Sequence, residues 1–241
     1  MDTNRPAPRR IGVLGGMGPA AAIDLQARIL ALTPASRDED HIPVVCWNVP
    51  QVPPRVPAIL SGGPSPLPAL LEGVRALEAA GAEAIAIACN TAHHWADDLR
   101  AEMGVPLIDI GEATVREIGH LPRPPRLAAL AATRGTLASG FFARRLDAAG
   151  IPWIAPDEAA QALLDEAIAA VKSGDAPSGG RLLALAAGTM HQRGADLLVA
   201  ACTELPLAAR ALPPAIALVD TTQALARAVV DFARAPRAPG D

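Results

Sequence analysis

Tyrosine is absent from this 241-residue chain, lysine occurs once, at Lys172, and aromatic residues make up only 2 %. With a formal net charge of −4 there is no Lys/Arg stripe interleaved with stacking rings, so no nucleic-acid partner is expected. The three cysteines, an odd number at irregular spacing, argue against a disulfide-stapled secreted scaffold. No apolar leader follows Arg9-Arg10, which places the chain in the cytoplasm as an expectation. Long apolar runs are missing too. The stretches Leu127 to Ala132 and Ala195 to Ala201 fall far short of the roughly 20 residues that span a bilayer, so no membrane partner is expected. Neither G-x-G-x-x-G nor a P-loop occurs, which speaks against a nucleotide.

What is present is apolar: 51 % hydrophobic residues allow a large core that folds without disulfides or metals. Residues 1 to 9 and 235 to 241 carry no periodicity and read as disordered ends. Between them, short apolar runs alternate with helical patterns. Strands are expected at Ile11 to Leu14, Val44 to Asn48, Ala84 to Ala88, Leu107 to Ile110, Leu127 to Ala131, Leu197 to Ala201 and Ile216 to Val219. Helices are expected at Ala20 to Leu32, Pro66 to Ala80, Ala92 to Met103, Gly111 to Gly119, Thr136 to Ala149, Glu158 to Ser173, Gly179 to Arg193 and Thr221 to Ala233. Crossovers long enough for helices signal parallel sheets. The order also repeats, so the fold class is α/β with two similar Rossmann-like or flavodoxin-like domains, related by pseudo-two-fold symmetry, with the active site between them. Residues 1–112 plus 216–241 form the first domain in this reading and 113–215 the second.

Two Cys-Thr settings match. Cys89 closes the run Ala84 to Ala88 and is followed by Asn90-Thr91, and Cys202 closes Leu197 to Ala201 and is followed by Thr203-Glu204. A thiol at a strand end before a helix gains from nearby N–H groups and the helix dipole, which can bring its pKa from about 8.5 into roughly 3.5–7.5. Cys89 and Cys202 are therefore candidates for general base and general acid, one from each half. Cys46 lies inside a strand and reads as core. Cys89 with His93 or His94 has a zinc-like offset, but the remaining ligands are scattered, so no metal is expected; His93, His94 and His191 are placed on helix surfaces. Gly15 to Pro19 offers N–H groups before a helix that suit a substrate carboxylate, and Thr133 to Thr136 takes the corresponding place in the second half. The segment from Pro50 to Pro68, rich in proline, reads as a rim or lid over a site.

Taken together, Ile11 to Pro19, Asp40-His41-Ile42-Pro43, Cys89 to His93, Gly135-Thr136 and Cys202 to Pro206 resemble the aspartate/glutamate racemase superfamily. The opening Gly-Gly-Met-Gly-Pro is similar to the aspartate racemase branch; glutamate racemases open with Asp-Ser-Gly and carry His where this chain has Glu204. The resemblance implies a racemase that needs no cofactor, in which one Cys thiolate takes the α-proton and the other thiol returns one to the opposite face. It implies that Asn90 as a donor, Thr91, Thr203 and the N–H groups near Met17 hold the α-carboxylate and amino group, with Thr133 expected beside them from its place in the second-half turn, and that Arg55 and Lys172 read a second carboxylate on a small acidic amino acid. It also implies a homodimer. Pro54 and Val56 depart from the polar neighbours usual around that Arg, and Phe141-Phe142 stands where a Tyr is common. Three alternatives stay open: a glutamate or broad-specificity amino-acid racemase, a hydantoin racemase or dicarboxylate isomerase or decarboxylase, and a silent ligand-binding protein on the same scaffold.

Overall fold

The computed structural model describes residues 7–209, 212 and 216–237. The first half runs β1 (Ile11–Leu14), α1 (Pro19–Leu32), β2 (Val44–Trp47), α2 (Arg55–Leu60), α3 (Leu67–Ala79), β3 (Ala84–Ile87), α4 (Ala96–Glu102), β4 (Leu107–Ile108) and α5 (Ile110–Gly119). The second runs β5 (Ala128–Ala132), α6 (Arg134–Ala138), α7 (Phe141–Ala148), β6 (Trp153–Ile154), α8 (Glu158–Lys172), α9 (Ala176–Gln192), β7 (Leu197–Ala201), α10 (Leu205–Ala208), β8 (Ala217–Asp220) and α11 (Thr221–Arg234). Each half folds into a four-stranded parallel sheet, in the orders β2-β1-β3-β4 and β6-β5-β7-β8, so β3 and β7 hold equivalent places.

The central strands β1, β3, β5 and β7 are buried along their whole length, as a parallel sheet covered on both faces requires. Their side chains alternate between two cores. Ile11 and Val13, Ala84 and Ala86, Ala128 and Leu130, and Leu197 and Val199 enter one core shared by the two halves, closed by Ile29, Ile118, Phe141 and Val229 from α1, α5, α7 and α11. The opposite faces carry separate cores, one under α3 and α4 and one under α8, α9 and α10. Among the described residues no helix is long and apolar enough to cross a membrane.

Several expectations change. The helix expected over Thr136 to Ala149 is two helices, because Gly140 takes a positive φ of 65° and the Ser139 hydroxyl accepts the Phe141 N–H at 3.2 Å. A helix forms inside the proline-rich stretch: in α2, Arg55 is the first residue and Pro57 stays within the first turn, where its missing N–H has no intrahelical partner to lose. The pattern expected from Ala92 starts as a 3-10 turn, Thr91–Trp95, and β6 goes unseen in the sequence because two residues show no alternation. The strand expected at Ile216 to Val219 hydrogen-bonds to β7, so it belongs to the second sheet; the return toward the first half begins with α11, which packs on α1 and α5. The stretches read as disordered ends are pinned where described: Arg9 N–H donates to Ala233 O at 2.9 Å and its guanidinium to Phe232 O and Ala235 O, while residues 1–6 and 238–241 lie outside the described residues.

Candidate active site

Strand periodicity continues past the strand ends and sets the two sulfurs. Cys89 follows Ile85 and Ile87 on the outer face of the first sheet, and Cys202 follows Leu198 and Ala200 on the outer face of the second. Both are free and buried, and both line one cavity of about 200 Å³. The same cavity gathers every other residue expected there, Met17, Arg55, Asn90, Thr91, Thr133, Lys172 and Thr203, and adds Pro54, Val56, Pro57 and Glu204. A wider groove of about 700 Å³ between α5 and α11 holds neither thiol, so side-chain chemistry and not size marks the site.

The turn after β1 is built on glycine. An added Cβ at Gly16, whose φ is 90°, would lie 2.0 Å from Val49 O, and one at Gly15 would lie 2.5 Å from Ala22 Cβ. This close packing brings Met17 to the cavity and starts α1 with Pro19 at its first position. The turn does not stand wholly open to a substrate: the Gly18 N–H already donates to Glu204 Oε1 at 3.3 Å. From α2, Arg55 donates to Met17 O at 3.0 Å, Val52 O at 3.2 Å and Pro53 O at 3.1 Å. Carbonyls fix the guanidinium without neutralising it, and no carboxylate of the described residues lies in ion-pair range.

Three hydroxyls tie the halves together beside the thiols. Thr91 Oγ1 lies 3.0 Å from Thr133 Oγ1 and 2.8 Å from Thr136 Oγ1, and Thr133 caps α6 by accepting the Thr136 N–H. Asn90 is anchored by a threonine distant in sequence. Its Nδ2 donates to Thr221 Oγ1 at 3.1 Å, and Thr221 spends its own hydrogen on Ala200 O at 2.8 Å, so Thr221 must accept from Asn90. The atom left over is Asn90 Oδ1, a buried acceptor with no partner among the described residues.

Glu204 is the site residue that sequence reasoning passed over, although its place after Cys-Thr was visible. It is 5 % exposed, accepts the Cys202 Sγ–H at 3.1 Å and the Thr203 hydroxyl at 3.3 Å, and faces Lys172 Nζ at 3.7 Å from the end of α8. Burial, and then the Glu204 carboxylate as both neighbouring charge and hydrogen-bond acceptor, push the Cys202 thiol well above the usual cysteine range. The expected lowering by a following helix does not prevail here, since α10 has only 4 residues and a carboxylate stands nearer.

His93 is likewise not on a surface. It is 2 % exposed, with Nδ1 2.8 Å from Cys89 O and Nε2 accepting the Ile110 N–H at 3.4 Å, so both ring nitrogens are spent and neither is open to a metal. Burial holds its pKa down to about 4, which leaves a neutral ring supporting the Cys89 backbone. His94 and His191 are exposed, as expected.

Comparisons with known proteins bear on the family and the fold. The Asp/Glu/hydantoin racemase family model matches residues 14–229. The broad-specificity amino-acid racemase RacX of Bacillus subtilis (strain 168) is 27 % identical over 224 residues, which cover 91 % of this chain and 96 % of that protein. The solved structure of Picrophilus torridus aspartate racemase is similar with a TM-score of 0.84 at 28 % identity, over 93 % of this chain and 94 % of its own. An aspartate racemase homologue from Pyrococcus horikoshii OT3, 24 % identical, shares the fold with a TM-score of 0.74 over 93 % of this chain and 99 % of its own.

Proposed function

The chain belongs to the Asp/Glu/hydantoin racemase family, and from that premise we propose that it racemises a small acidic amino acid, aspartate first, with Cys89 and Cys202 as the paired base and acid. One observation carries the reading: two buried thiols from equivalent strand ends line one cavity beside an arginine whose contacts are all carbonyls.

In this scheme one thiolate removes the α-proton and the other thiol delivers a proton to the opposite face. Abstraction next to a carboxylate builds negative charge on that carboxylate, so preset donors there lower the barrier most. Thr91, Thr133 and Thr203 supply hydroxyls at the cavity wall. The unpartnered Oδ1 of Asn90 suits the α-ammonium, a donor group. Arg55 and Lys172 are the cations for a side-chain carboxylate, which would be costly to bury unpaired. Pro54, Val56 and Pro57 wall the cavity with apolar surface that keeps water from the carbanion. The likeness to the Picrophilus torridus aspartate racemase supports the aspartate assignment.

A second reading, broad specificity, is favoured by the likeness to the Bacillus subtilis protein and by Glu204, which takes up part of the Lys172 charge. Initial racemisation rates across the twenty amino acids, repeated with Arg55→Ala and Lys172→Ala, separate the two. Losing a charged hydrogen bond of about 1.5–3 kcal/mol should cut kcat/KM for aspartate by roughly 10- to 100-fold and spare neutral amino acids. Aspartate turnover insensitive to both variants would leave the broad reading and remove the acidic one. Activity should need no added pyridoxal phosphate and survive EDTA.

A further inference from the structure

A two-thiol racemase starts each turnover with one thiolate and one thiol, and residue type alone does not say which sulfur keeps its proton. The surroundings of the two sulfurs differ. Cys202 Sγ–H points at Glu204 Oε2 at 3.1 Å, and that oxygen also accepts from Thr203 at 3.3 Å. The other oxygen of Glu204 takes the Gly18 N–H at 3.3 Å, from the turn after β1, and faces Lys172 Nζ at 3.7 Å. Contacts from both halves thus aim one buried carboxylate at one of the two thiols. Cys89 has no such carboxylate bond among the described residues; the hydrogen bonds there are those of its backbone, its N–H to Ile87 O at 2.8 Å and its C=O to His93.

We propose that Glu204 is the positioning residue that keeps the proton on Cys202, so that the free enzyme holds Cys202 as the thiol of the pair and stands ready for one enantiomer. The proposal rests on the two-thiol reading above. With Cys89 as thiolate, a new S–H bond forms as Cα–H breaks, and the electron pair passes onto the substrate carboxylate. That pair returns to Cα as the Cys202 S–H bond breaks and a Cα–H bond forms on the opposite face. The product leaves Cys89 as thiol and Cys202 as thiolate, facing the Glu204 carboxylate with Lys172 as the nearby counter-charge. Repulsion between the two anions favours reset, in which Cys202 regains a proton from water and Cys89 releases one to it. The mirror-image substrate must instead find the disfavoured form. The other charged group at the cavity, Arg55 on α2, donates to the carbonyls of Val52, Pro53 and Met17.

The test follows thiolate formation by alkylation rate and ultraviolet absorbance against pH, with the second cavity thiol and Cys46 changed to Ser. In the Cys46→Ser, Cys89→Ser protein the Cys202 midpoint should fall by about one pH unit or more on adding Glu204→Gln, which keeps shape and removes charge. Lys172→Ala, at a side chain 46 % exposed, should move it the other way without risk to folding. In the Cys46→Ser, Cys202→Ser protein Glu204→Gln should move the Cys89 midpoint less. A Cys202 midpoint unmoved by both variants overturns the proposal, whether or not aspartate is turned over. The shifts in a protein that racemises no amino acid uphold the proton assignment and overturn the racemase reading instead.

Discussion

His93 holds the Cys89 carbonyl at 2.8 Å and takes the first N–H of α5 at 3.4 Å, so one neutral ring links the strand end that carries a thiol to the helix leaving the first half. Its neutrality has a cost in acid. Below the usual 6.5 the unfolded chain takes up a proton that the folded chain refuses until about 4. Stability is therefore whole above pH 6.5 and declines between pH 6.5 and about 4, by up to about 3 kcal/mol from this group. Urea melts across that window should show the decline in the wild type and a shallower one in His93→Gln; equal slopes would remove His93 as the cause. The thiols, Asn90 and the threonines were legible in the sequence because a strand end fixes where they sit. His93 was not, because a helical period counted from Ala92 takes no account of a 3-10 turn that swings the ring inward. Asn90 shows a different limit: only its hydrogen bond to Thr221, distant in sequence, reveals that one of its two amide hydrogens is already spent, while Oδ1 has no partner among the described residues.

At the scale of elements, central strands were readable despite poor intrinsic preference. Alanine is depleted in strands, yet β5 reads Ala-Ala-Leu-Ala-Ala, because burial on both faces decides and propensity does not. Breaks were less readable, since a single Gly140 inside an apolar period looks tolerable until its positive φ is seen. The proline-rich segment was placed as a rim, and its contribution to the cavity, Pro54 to Pro57, is a helix start, because proline in a first turn does not oppose one. The connection α5 depends on Asp109, which caps it by accepting the Gly111 and Glu112 N–H groups and pairs with Arg100 of α4 and Arg145 of α7. Burial works against this carboxylate, but the arginines and amides around it hold its pKa below the usual range. With a side chain 1 % exposed, Asp109→Ala leaves Arg145 without its carboxylate and Arg100 with Asp97 alone, and should cost about 1.5–3 kcal/mol of unfolding free energy, read by denaturant titration. A loss below about 1 kcal/mol would mean that solvent already screens the cluster.

Over the whole molecule the two sheets share one strand order, and that repetition gives the site its logic: equivalent strand ends present a thiol each, and a central core common to both halves fixes the gap between them. The likeness of the halves was visible as repeated strand, turn, helix and cysteine. The allegiance of the last strand was not, because an apolar run such as Ala217–Asp220 fits either sheet and only its hydrogen bonds to β7 decide. Glu204 belongs to this scale as well, since its partners Gly18 and Lys172 come from opposite halves. The central claim, that Cys89 and Cys202 act on opposite faces of one substrate, is met most directly by racemisation of each aspartate enantiomer in D2O by the wild type, Cys89→Ser and Cys202→Ser. The wild type should yield product deuterated at Cα, and each single variant should lose racemisation by roughly 100-fold or more. Full racemisation retained by either variant, or product formed without deuterium, would contradict the claim.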